Sequence, residues 1–158
     1  MTAFTFTRRG ARCPFTDRIW PADGSWLADA RATSAEHLPV WIARELWRVE
    51  LGGQIATPGE QTVGERGRLL GRVQAWDRAV AEEFVADCRR RTLTLAARRP
   101  GDLRLRPMAD DARGCSAAGS ANLAGWLAAR TARVLDGEDG RAAERTRQAE
   151  WLRARLGV

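Results

Sequence analysis

A chain of 158 residues is most simply one domain. It is long enough to bury roughly 70% of its unfolded surface, so it needs neither a disulfide framework nor a structural metal to fold. Hydrophobic residues at 44% and charged residues at 29% are ordinary for a globular protein, and the longest apolar runs fall far short of the roughly 20 residues of a membrane span. The net charge of +6 comes from 26 basic residues that are all arginine; lysine and tyrosine are absent. Arginine presents a planar fork that grips carboxylate or phosphate bidentately, which lysine does not. A GC-rich coding sequence produces the same bias, in keeping with the abundant alanine and glycine.

Residues 1–20 carry arginines and Asp17 but no apolar core of a signal peptide, so a cytosolic location without a membrane partner is expected. Cys13, Cys88 and Cys115 lie far apart, and His37 is the single histidine. No spacing suits a metal, and an odd cysteine count argues against disulfides. No cofactor is expected.

Phe4 and Phe6 among threonines predict a strand over Ala3–Thr7, closed by a turn at Gly10 to Pro14. Residues 15–37 read as irregular, with Phe15, Trp20 and Trp26 spaced among Pro21, Asp23 and Gly24. Such aromatics either cover a core edge or line a ligand groove. Pro39 opens a short helical turn carrying Trp41 and Ile42, with Ser34 or Glu36 near its cap and His37 just before it. Trp20, Trp26, His37 and Trp41 are the candidate pocket residues. For His37 a surface or capping role competes with catalysis, because no nucleophile or carboxylate stands at a known spacing from it.

From Glu45 the pattern alternates: Trp47, Val49 and Leu51 face one way, Arg48 and Glu50 the other. Gly52-Gly53 and Thr57-Pro58-Gly59 break the run, and the chain returns through residues 61–70 as an antiparallel partner. Glu50 is expected to pair across the strands with Arg66 or Arg68. A helical period then links Val73, Trp76, Val80, Phe84, Cys88 and Leu95, predicting a long amphipathic helix over 71–99 whose apolar stripe faces the strands. Residues 100–115 read as a connector. Ser116 to Leu135, with Leu123, Trp126, Leu127 and Val134 on one face, and Arg141 to Leu156, with Ala142, Ala149, Leu152 and Leu156 inward, form a helical hairpin about the turn Asp136 to Gly140.

The expected fold is therefore α+β in a single domain. A small antiparallel sheet in residues 1–70 is packed by the helix 71–99, and a hairpin over 116–156 lies alongside.

Positive charge concentrates at Arg89, Arg90, Arg91, Arg98, Arg99, Arg104 and Arg106, opposed in that stretch by Asp102 alone. Such a cluster suits an acidic or phosphate-rich partner. It also suits a solvated helix end whose arginines satisfy the dipole. Gly64 to Arg68 lacks the spacing of a phosphate-binding loop.

Two blocks carry a resemblance. One runs Phe6, Gly10, Pro14-Phe15, Trp20-Pro21 and Trp26. The other is Leu38-Pro39-x-Trp41, Leu46-Trp47-x-Val49-Glu50-Leu51-x-Gly53-x-Ile55, Val63 and Arg66-Gly67-Arg68-Leu69. Over residues 4–76 the chain resembles a family of small, uncharacterised domains of bacterial and phage proteins. The resemblance implies a compact sheet-bearing module and no established activity.

The leading expectation is a non-enzymatic interaction module that binds a protein partner, or a second copy of itself, through arginine and tryptophan, the residues enriched at interface hot spots. The alternatives are a nucleic-acid accessory protein acting through residues 89–106, and a ligand-binding or enzymatic domain with a pocket near Trp20, Trp26 and His37.

Overall fold

The computed structural model describes residues 2–14 and 16–158, so the expectation for Phe15 lies outside the described residues. Four strands, β1 (Thr2–Thr7), β2 (Leu27–Ala32), β3 (Glu45–Ala56) and β4 (Thr62–Arg72), form one antiparallel sheet in the order β1-β3-β4-β2. A 3-10 helix (Ala35–Val40) bridges β2 and β3. The helices are α1 (Arg78–Ala96), α2 (Arg106–Gly114) and α3 (Ala121–Leu156). The fold is α+β, as the alternating first half and the helical second half predict. No helix among the described residues is long and apolar enough to cross a membrane.

The alternation in β3 sorts the sheet into two faces. Val49 and Leu51 join Ala3, Ala30 and Leu69 in one apolar cluster, closed by Trp20, Cys13 and Ala11 from the β1–β2 loop. Leu46 faces the other way, opposite Phe6 in register, and both belong to the main core with Phe4, Leu38, Trp76, Phe84 and Leu127. Phe6 meets Trp76 edge-on with ring centroids 5.4 Å apart, a geometry the ring quadrupoles favour. Further along this same face the residues are Arg48, Glu50 and Gly52, paired with Gly71, Arg68 and Arg66 of β4. The apolar lining ends there.

Several boundaries differ from expectation. The long helix does not begin at 71: β4 continues to Arg72, and Val73 N–H donates to the Leu46 carbonyl at 2.8 Å. Helix α1 starts only where Asp77 Oδ1 accepts from Val80 N–H at 2.9 Å, an N-cap bond. Val73 and Trp76 are core residues of the connection, so their helical spacing was fortuitous. Gly52-Gly53 does not end β3 either, because Gly53 at φ +76° absorbs a register shift and the strand runs on to Ala56.

Residues 27–32, expected to be irregular, form edge strand β2 on β4. Its sequence LADARA has no β-branched or aromatic side chain, and sheet pairing overrides that weak propensity. The connector holds α2, entered with Pro107 in its first turn and burying Met108, Ala109 and Ala112.

The hairpin is present: Gly137 (φ 72°, ψ −156°) breaks α3, and Gln148 Nε2 donates to the Gly125 carbonyl at 3.0 Å across the two arms. Its faces are shifted in part from expectation. Leu123, Trp126 and Ala142 are exposed, while Ala124, Thr131, Glu144 and Gln148 are buried. Leu127, Ala149, Leu152 and Leu156 are buried as expected, and alanines with a bonded polar network fill the rest of the seam. All three cysteines are buried free thiols.

Candidate functional site

Four of the seven arginines of 89–106 have carboxylate partners. Arg90 pairs with Asp87 at 3.0 Å, Arg91 with Glu144 at 3.0 Å and Arg104 with Asp102 at 2.6 Å. Arg98 grips Asp136 through both terminal nitrogens, at 2.8 and 3.2 Å. The hydrogen bonds from Arg104 hold the Asp102 carboxyl down at about 2, and those from Arg98 hold Asp136 below its usual range. Arg89, Arg99 and Arg106 have no ion pair among the described residues. The paired arginines remain largely exposed.

The four expected pocket residues sit in four different surroundings. Trp20 is buried against the sheet, its ring close to Gly67 and Ala30. Trp41 is half-buried beside a cavity of about 60 Å³ that Phe4 and Phe6 also line. His37 lines a cleft of about 340 Å³ with Glu36, Glu60, Glu150 and Arg145. Its Nδ1 lies 3.0 Å from Ser34 Oγ, a contact made within the turn itself. Among the described residues no cluster of three or more His, Cys, Asp or Glu side chains is placed to hold a metal.

Trp26 is the fourth, and it is built into the open part of the sheet. The turn before it is set by Gly24 at φ +78° and by Ser25 N–H donating to Asp23 Oδ1 at 2.9 Å. The indole lies across Gly52, where a Cβ would meet the ring at 3.3 Å, so glycine is what allows the close seat. Arg66 lies 4.7 Å and Arg68 5.0 Å from its ring centroid. Their alternate positions on β4 place both guanidinia on one face, next to Gly52 and Glu50. Glu50 accepts from Arg68 Nε at 2.7 Å, fulfilling the expected cross-strand pair. Arg66 has no carboxylate partner among the described residues, and Trp26 keeps 39% of its surface in solvent. A rigid aromatic ring flanked by two cations can stack on a planar group and hold an anion beside it. The sequence signal for this platform was the Arg66-Gly67-Arg68 alternation facing a glycine on the neighbouring strand.

A second concentration of charge escaped the sequence reading because it joins distant segments. Arg8, Arg44, Arg72 and Arg78 line a cleft of about 600 Å³ between the strand ends and the helices, with Asp77 as the one lining carboxylate. Arg78 is engaged by Glu82 at 2.8 Å, and Arg72 reaches Glu45 only at 3.7 Å. Arg8 and Arg44 are exposed and have no ion pair among the described residues.

The chain matches no family model, no curated protein and no solved structure.

Proposed function

We propose that the protein is a non-enzymatic interaction module that docks an acidic segment of a protein partner on the open sheet face around Trp26. The observation that carries this reading is the Trp26 ring seated at Gly52 with the Arg66 and Arg68 guanidinia both over it. Tryptophan and arginine dominate interface hot spots because each contributes large contact area or several hydrogen bonds from one anchored side chain. Here the ring is fixed before binding, and Arg68 is oriented by Glu50, so little rotamer freedom is left to lose on association. Arg48 extends the positive face and is exposed, which supports an acidic partner over a neutral one.

The test is a titration of the intact protein with an Asp/Glu-rich peptide containing one aromatic residue, followed through the tryptophan indole N–H signals. The Trp26 signal, assigned by its loss in Trp26→Phe, is expected to move first and to saturate. Movement confined to other indoles would contradict the reading. The nucleic-acid alternative would show instead as tighter binding of single-stranded oligonucleotide than of peptide, with a steep loss in salt.

A further inference from the structure

The cleft lined by Arg8, Arg44, Arg72 and Arg78 is separate from the Trp26 platform and has a different character. Four arginines, one just past β1, one before β3, one at the end of β4 and one at the start of α1, belong to its lining with a single carboxylate, Asp77. Asp77 Oδ1 is already committed to Val80 N–H as the helix cap. Two of the cations, Arg8 and Arg44, carry charge that no carboxylate of the described residues offsets. A fold of this size can leave an arginine unpaired anywhere on its surface. Two arginines without an ion pair among the described residues, sharing the lining of one concavity with two others, make a candidate anion site, since each fork matches the geometry of a phosphate oxygen pair.

The rest of the lining adds two features. The start of α3 borders the cleft at Ala121, and a helix N-terminus favours negative charge nearby, whereas that of α1 is already occupied by the Asp77 carboxylate. Pro14, Ala43 and Ala118, each half-buried, supply apolar surface to the same lining, which the core residues Ile42, Trp76 and Ala81 complete. A volume of about 600 Å³ falls within the range of small-molecule sites and far exceeds what a bare ion needs. Cations and apolar residues on one lining fit an amphiphilic anion.

We infer that this cleft binds an organic phosphate, its phosphate held by Arg8 and Arg44 and its apolar body lying against the half-buried Pro14, Ala43 and Ala118. Arg72 and Arg78, each already near a carboxylate, contribute field more than direct grip. The inference does not depend on the docking role of Trp26.

The test uses the full chain with phenyl phosphate, pyrophosphate and phenol as probes, read by thermal shift at low ionic strength and by calorimetric titration. Phenyl phosphate is expected to raise the melting temperature dose-dependently and to bind more tightly than pyrophosphate, while phenol gives no shift. The double variant R8Q/R44Q removes two exposed, unpaired charges, so it is expected to melt like the parent while weakening phenyl phosphate by at least about tenfold. The control R89Q/R99Q, which changes unpaired arginines away from the cleft, is expected to bind normally. No shift with either phosphate, or equal binding by R8Q/R44Q, would overturn the assignment. Equal weakening by R89Q/R99Q would also overturn it, by reducing the effect to net charge.

Discussion

Glu144, with 1% of its side chain exposed, takes the guanidinium of Arg147 at 2.8 Å one turn further along the second arm of α3. Arg147 also reaches Asp87 of α1 at 2.7 Å, and Arg91 of α1 reaches back to Glu144 at 3.0 Å. Gln148 completes the network by donating to both Glu144 and the Gly125 carbonyl. A carboxylate this deep is tolerated because every approach to it carries a donor. Glu144→Ala is therefore expected to cost about 3 kcal/mol, the lower end for breaking a buried pair, because Arg147 and Arg91 keep partial access to water. Glu138→Ala, which removes an exposed partner of Arg133 and Arg141, should be clearly milder, because exposed ion pairs contribute little. Urea unfolding of the two variants separates these outcomes.

The hairpin turn depends on one backbone conformation. Gly137 at φ 72° and ψ −156° occupies a region that side chains exclude, and nothing crowds its Cβ position. The penalty for Gly137→Ala is thus conformational, about 1–3 kcal/mol. Gly140→Ala should also destabilise, for the different reason that its Cβ would lie 2.6 Å from the Ala132 carbonyl oxygen. Thermal unfolding of each variant beside an alanine substitution at exposed Gly119 checks both.

Burial pushes the Cys88 thiol up to about 12 and raises that of Cys115. A thiol whose folded value is raised stays protonated in the native state while the unfolded chain ionises. Its contribution to stability is complete below the unfolded value near 9 and is lost as pH rises from there towards about 12. Stability is expected to fall from pH 9 upward, and Cys88→Ala should flatten that limb. At neutral pH, alkylation of Cys88 should require unfolding, because the thiolate is the reactive form. Mass spectrometry of iodoacetamide-treated native and urea-unfolded protein measures this directly.

The sheet core was legible where alternation was strong: Trp47 to Leu51 gave β3 and its two faces, and Glu50 gave its cross-strand partner. Edge strand β2 was not, because Ala28, Ala30 and Ala32 carry no β signal and are held by pairing with β4. The hairpin was announced by Asp136 to Gly140 and most of its inward face by Leu127, Ala149, Leu152 and Leu156, yet Glu144 and Gln148 were missed because they look like surface residues until their partners on α1 and the first arm are known. The same limit applies to function. Clustered sequence charge at 89–106 proved substantially paired, whereas the Trp26 platform and the four-arginine cleft assemble from segments that only folding brings together.

The central claim is most directly tested by parallel affinity capture from the native host lysate with the parent, Trp26→Ala, R66E/R68E and R89E/R99E as baits. A stoichiometric protein partner is expected on the parent and on R89E/R99E, and should be lost from Trp26→Ala and from R66E/R68E. Retention of that partner by both platform variants, or its loss from R89E/R99E alone, would place recognition elsewhere and contradict the account.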